Sequence, residues 1–245
     1  MLILVALLIA GGGLFQYLDR PLPQGQPGPE AEALAQRLQA AAGVPAWDST
    51  GAVRWTFAGH QHLWDRQRGW ARVRWDQFEV QLAVDRQEGL AWKQGVLLPA
   101  DPARTRVEEA WRMWINDSFW LNPVAKLFDP GTQRRLVALP GDEEGLLITY
   151  RSGGATPGDS YLWLVGADDL PHAWRMWVSI LPLGGIKASW EDWLTLGTGA
   201  RVATRHRLWG FTLELQEVAG ACTLAELEPG PDPFAALAAQ LGTPP

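Results

Sequence analysis

WRMWINDSFWLNPVAKLFDPG, residues Trp111 to Gly131, is the densest aromatic stretch of the chain and the one from which the rest can be placed. It carries Trp111, Trp114, Phe119 and Trp120, interrupted by Asn116-Asp117-Ser118 and punctuated by Pro123 and Pro130-Gly131. Upstream, Val107, Trp111 and Trp114 stand at helical spacing, and past Gly131 the chain alternates with the period of a strand. The pattern predicts a short apolar helix, a sharp break, and a second apolar segment laid across the concave side of a sheet. Asp101-Pro102 offers an N-cap with Pro at the first helical position, and Thr105-x-x-Glu108 a capping box just after it. Asn116 and Asp117 read as the helix end, with Asn accepting the left-handed C′ conformation; the alternative is a polar handle inside a cavity.

On both sides of this stretch the period is two. Val53, Trp55 and Phe57 face one way against Arg54 and Thr56, and Ala71, Val73 and Trp75 repeat this against Trp70, Arg72 and Arg74. Phe78, Val80, Leu82 and Val84 oppose Gln77, Glu79, Gln81 and Asp85. Such strands in succession, joined by short polar turns such as Gln67-Arg68-Gly69, predict an antiparallel meander wet on one face. After Gly131 come Leu146 to Tyr150, Tyr161 to Val165 (apolar on both faces), Trp174 to Ile180, and a final strand with Phe211, Leu213 and Leu215 inward. Asp129-Pro130-Gly131 and Thr156-Pro157-Gly158 each set Pro at i+1 and Gly at i+2 of a type II turn. No βαβ rhythm is present, which argues against a doubly wound parallel sheet. The expected fold is mainly β: an incomplete, half β-barrel with short helices over its concave apolar face.

At the chain's start, residues 1–18 are apolar apart from Gln16 and read as a membrane anchor or signal segment. They are short for a spanning helix and long for a signal core. With no clear cleavage site before Arg20, an uncleaved anchor is the expectation, placing the rest in the periplasm of a bacterial envelope. No Cys follows the apolar run, so it is not a lipoprotein signal. Residues 19–29 form a Pro/Gly-rich linker, a tether of roughly 25–30 Å for its PLPQGQPGP part if extended. Residues 30–228 would be the β domain, opened by a helix over Glu30 to Ala42, and 229–245 a tail with a short helix.

Composition limits the function. The 245 residues include 15 Trp against 3 Tyr, and each buried indole removes roughly 200 Å² from water while asking for a partner for its N–H. So many rings either fill an unusually large core or line a cavity for something apolar. A net charge of −6 argues against nucleic acid as a partner. The single cysteine, Cys222, excludes an internal disulfide framework and a thiolate metal cluster.

Few residues suggest chemistry. Gly158-Asp159-Ser160 with Asp169-x-x-His172 matches two blocks of GDSL-type esterases, which would make Ser160 a nucleophile activated by His172. Those enzymes hold the blocks nearly a domain apart on an α/β sheet, so here the pair reads as a turn and a loop. His60-x-His62 could present two imidazoles from one strand face, but no third ligand lies nearby in sequence and Zn²⁺ needs three or four. The two read as exposed turn histidines. Arg54, Arg72 and Arg74 form a basic patch on the polar face, by default solvated. No catalytic residue, metal or cofactor is assigned.

An export segment, a helix, a long meander, an apolar helical insertion and further meander together resemble the LolA/LolB-like superfamily of outer-membrane lipoprotein carriers. The blocks Trp114 to Gly131 and Thr156 to Trp163 (TPGDSYLW) are similar to those of bacterial proteins of that general type. The resemblance implies a β half-barrel around an apolar cavity that takes a lipid acyl chain or a lipidated protein, without catalysis. The candidate lining is Trp55, Phe57, Trp75, Phe78, Trp111, Trp114, Phe119, Trp120, Trp163 and Trp174. An esterase using Ser160 and a purely structural envelope protein are the alternatives.

Overall fold

The computed structural model describes residues 19–141, 143–153 and 155–242; the expected anchor over residues 1–18 lies outside them. Among the described residues no helix is long and apolar enough to cross a membrane. The fold is mainly β, with two antiparallel sheets that do not close into a barrel. Two compact units result, neither of them contiguous in sequence. Of the described residues, one holds those up to Ala41, Leu127–Glu191 and His206–Thr212; the other holds Ala42–Lys126, Asp192–Arg205 and those from Leu213 onward.

The first unit is built on a five-stranded sheet. Its strands are β7 (Thr132–Ala138), β8 (Glu144–Tyr150), β9 (Ser160–Val165), β10 (Pro171–Trp177) and β11 (Ile186–Ser189), in the order β11-β10-β9-β8-β7. Every residue of β9 is buried, as its two-faced apolar sequence predicts. Helix α1 (Pro29–Ala41) inserts Ala31, Leu34, Ala35 and Leu38, all fully buried, and Glu32 pairs with Arg134 of β7 at 2.7 Å. The linker is not free of structure: Gln26 bridges to Leu136, and the Trp177 indole donates to the Arg20 carbonyl at 2.7 Å. Both expected type II turns form. Thr132 N donates to Asp129 O at 3.1 Å, and Gly131 sits at φ 82, where a Cβ would stand 2.0 Å from Ser152 Oγ.

The second unit carries the longer sheet. Helix α2 (Val44–Asp48) leads into β1 (Ala52–Phe57), β2 (His60–Asp65), β3 (Trp70–Trp75), β4 (Phe78–Ala83), β5 (Glu88–Lys93) and β6 (Val96–Leu97). Strands β12 (Glu191–Thr195), β13 (Arg201–Leu208) and β14 (Phe211–Ala221) complete nine, ordered β12-β13-β14-β1-β2-β3-β4-β5-β6. Registers such as Val53↔Trp64, Trp64↔Ala71 and Ala71↔Leu82 carry one apolar face across the sheet.

That face is covered by helix α3 (Ala100–Leu121), 22 residues without interruption. The expected break at Asn116-Asp117-Ser118 is absent. No Gly or Pro lies between Ala103 and Leu121, and the Asp117 carboxylate bonds side chains on β2 rather than competing for the helix backbone. The helix stops only at Asn122 (φ −152), just before Pro123, whose ring disfavours helical geometry in the residue preceding it. A 3₁₀ turn over Pro123–Lys126 follows. The helix begins one residue before Asp101, with no side-chain cap, so Thr105 and Glu108 lie within it and not at its mouth.

The opposite face is not simply wet. Helices α4 (Leu224–Leu227) and α5 (Ala235–Leu241), with Phe234 at the N-cap of α5, lay Leu227, Phe234 and Leu237 on Ala52, Leu63, Trp70 and Ala83. Arg68 grips Asp232 through two bonds of 2.7 and 2.8 Å and stacks its guanidinium over Trp70. The segment expected as a tail therefore completes a second small core.

Candidate functional site

Alternation along β2 places His60 and His62 on the helix-covered face, with His62 opposite Trp55 of β1 and Val73 of β3. The His62 ring lies flat against the Trp55 indole, centroids 4.4 Å apart and planes 12° from parallel. On α3 the buried positions Val107, Ala110, Trp114, Asp117 and Leu121 recur every three or four residues. Asp117 thus occupies the packed stripe of the helix, where every companion just named is apolar. It meets the histidines there: Nδ1 of His60 and Nε2 of His62 each stand 2.8 Å from the same oxygen, Asp117 Oδ2. Asn116 Nδ2 donates to the other oxygen, Oδ1, at 2.9 Å.

The electrostatics of this cluster are demanding. Asp117 and His62 have side chains 2% and 0% exposed, while His60 remains 25% exposed and borders solvent. Burial pushes the His62 imidazole below its ordinary value, opposed by the neighbouring carboxylate, and so favours the neutral ring. No Lys or Arg forms an ion pair with Asp117 among the described residues. His62 Nδ1 and the indole nitrogens of Trp55, Trp64 and Trp114 are also buried with no hydrogen-bond partner among them. The histidines are therefore strand residues facing a core, not exposed turn residues. The third group sequence reading lacked is Asp117, which lies 55 residues beyond His62. One signal could have found it: a lone carboxylate on the apolar repeat of a helix.

The aromatic residues expected to line a cavity divide between the two units. Trp55, Phe57, Trp75 and Trp114 belong to the buried cluster between the long sheet and α3, with Phe78, Trp111 and Trp120 partly buried against it. Phe119 is half-buried on the same helix. Trp64 stacks edge-on against Trp114 at 5.1 Å, Phe57 meets Trp120 at 6.1 Å, and the Trp111 indole donates to the Val84 carbonyl at 3.1 Å. Trp163 and Trp174 sit in the other unit. Both are fully buried, 5.0 Å apart, and close on Trp190 and Tyr161.

Comparison with known proteins adds a likeness of chain trace. No family model matches the sequence, and no curated protein sequence matches it. Among solved structures the chain is similar to a DUF1329 family protein from Desulfovibrio piger, at 13% identity and a TM-score of 0.44. The match covers 83% of this chain and 98% of that one. No residue role is transferred from it.

The remaining candidates find separate partners. Ser160 Oγ shares a buried hydrogen bond of 2.8 Å with Thr149 Oγ1. Asp169 accepts from Arg37 Nε at 3.0 Å, and His172 Nε2 faces Glu143 at 3.6 Å. Ser160, His172 and Asp169 thus form no relay among the described residues. Of the basic patch, Arg54 pairs with Glu228 at 3.1 Å and Arg74 with Glu79 at 2.6 Å. Arg72, its pKa lowered by desolvation and by Arg74, makes no side-chain hydrogen bond or ion pair among the described residues. It shares a hollow of about 210 Å³ with Arg54, Arg74, Glu217 and Glu228.

Proposed function

We propose that this protein is a non-catalytic binding protein of the cell envelope, tethered through residues 1–18, that holds an acyl chain of a lipid or lipidated partner. The chain would lie along α3 on the aromatic face of the nine-stranded sheet. The observation that carries this reading is the margin of that face. Trp64, Phe78, Trp111, Met113, Ile115 and Trp120 are packed against the buried cluster yet keep part of their surface open. Such a margin is apolar, contiguous with a core and bordered by a helix, and a docked chain would gain about 0.8 kcal/mol per methylene removed from water.

A fluorescent fatty-acyl probe is expected to bind the purified protein and quench part of its Trp emission. Trp120→Ala should weaken that binding at least several-fold while costing less stability than the about 3–5 kcal/mol of a fully buried indole. Absence of probe binding by folded protein would remove the acyl-chain reading and leave a structural β protein.

The non-catalytic part of the reading is supported by the engagement of Ser160 with Thr149. Ser160→Ala is expected to leave any trace ester hydrolysis of the preparation unchanged. It should cost about 1–3 kcal/mol, because the buried Thr149 hydroxyl loses its partner. Reproducible activity lost in both Ser160→Ala and His172→Ala would establish the esterase instead.

A further inference from the structure

We infer that His60, His62 and Asp117 form a binding site for one divalent transition-metal ion of borderline softness, of which Zn²⁺ is the type. The ion would tie helix α3 to strand β2.

Geometry comes first. The three ligand atoms, Nδ1 of His60, Nε2 of His62 and a carboxylate oxygen of Asp117, all lie within 4.8 Å of one another. Around tetrahedral Zn²⁺, with bonds of about 2.0–2.2 Å, neighbouring donor atoms stand about 3.3 Å apart. Opening each 2.8 Å histidine–carboxylate contact by about half an ångström, with the two imidazole nitrogens brought to the same spacing, gives the ion its three donors.

Charge is the second argument. Asp117 is an almost fully buried carboxylate with no Lys or Arg pairing it among the described residues, and the His62 side chain beside it is fully buried too. A buried carboxylate held by hydrogen bonds but without a Lys or Arg partner is costly. A dication supplies the missing positive charge, and neutral imidazoles are the donors it prefers. Two nitrogen donors with one oxygen favour Zn²⁺ and its neighbours over Ca²⁺ or Mg²⁺, which take oxygen ligands.

The surroundings fit as well. Asn116 holds Asp117 Oδ1 and so fixes the orientation of the carboxylate, the role that outer partners play in metal sites. The flat face of Trp55 fixes the plane of the His62 ring. His60, at the solvent border, is the side from which the ion enters, and three protein ligands leave a fourth position for water or a small anion.

The test uses the full-length chain, stripped with a chelator and then titrated with Zn²⁺, with Mg²⁺ and Ca²⁺ in parallel. Roughly one equivalent of Zn²⁺ should be retained per chain, with a raised Tm, while Mg²⁺ and Ca²⁺ leave Tm where it was. Asp117→Asn and His60→Gln should each weaken Zn²⁺ binding by at least about 10-fold, and Asn116→Ala by about 10–100-fold. His172→Gln with Cys222→Ser, outside the cluster, should leave it unchanged. Should Asp117→Asn fail to fold, the partly exposed His60 still decides the matter through His60→Gln. Folded wild-type protein that retains no Zn²⁺, or binding unaltered in His60→Gln, would overturn the site and leave a hydrogen-bonded cluster.

Discussion

Replacing Trp163 by alanine is expected to destabilise the protein by about 3–5 kcal/mol, the largest single-residue effect proposed for this chain. Trp163 is 0% exposed in the middle strand of the five-stranded sheet, with Leu146 of β8 on one side and Trp174 of β10 on the other. Its ring stands 5.0 Å from Trp174 and 5.2 Å from Trp190, so truncation removes both its own transfer energy and surface on two neighbouring indoles. Those neighbours are rigid and cannot collapse into the space, which places the expected cost toward the upper part of that range. Chemical denaturation followed by far-UV circular dichroism measures it. A cost below about 1.5 kcal/mol would mean that the ring lines a space instead of filling one.

The second large effect is a loss of stability in mild acid centred on His206. This imidazole is fully buried against Trp190, centroids 4.3 Å apart, and its Nδ1–H donates to the Ser189 carbonyl at 3.0 Å. Burial pushes its pKa down to about 4, against the opposing pull of that carbonyl and of Glu191. The unfolded chain, with an ordinary histidine near 6.5, therefore takes up a proton that the folded chain refuses across the window between these values. Stability from this group is complete above about pH 6.5 and falls as pH drops toward 4, by about 3 kcal/mol in all. His206→Gln should flatten that part of the profile relative to wild type, read from urea midpoints at several pH values. Equal slopes in the two proteins would show that His206 is not the group responsible.

Much of the fold was legible because strand periodicity survives in the sequence wherever one face is buried. Val53-Trp55-Phe57 and Ala71-Val73-Trp75 lie on the face that alternation assigns them, and β9 is buried on both sides as its unbroken apolar run implies. Elements whose role depends on a distant partner were not legible. Asn116-Asp117-Ser118 has the local chemistry of a helix end, and only the imidazoles of β2 turn Asp117 into a residue of the helix interior. Trp70 reads as polar-face by alternation and is buried because Phe234, far along the chain, arrives to cover it. For the same reason the histidine pair looked incomplete. Ligand sets that join a strand to a helix leave no spacing to count.

The discontinuous units set an order for the chain's birth. The first unit needs residues as far apart as Leu34 and His206, and the second closes only when Phe234 and Leu237 reach Trp70. A chain growing at about 5–20 residues per second therefore leaves the Trp70 side of β1 to β4 uncovered for several seconds before its last helices exist. Loss of the last fifteen or so residues, outwardly a trimming of the end, would leave that exposure permanent on the Trp70 side of the sheet.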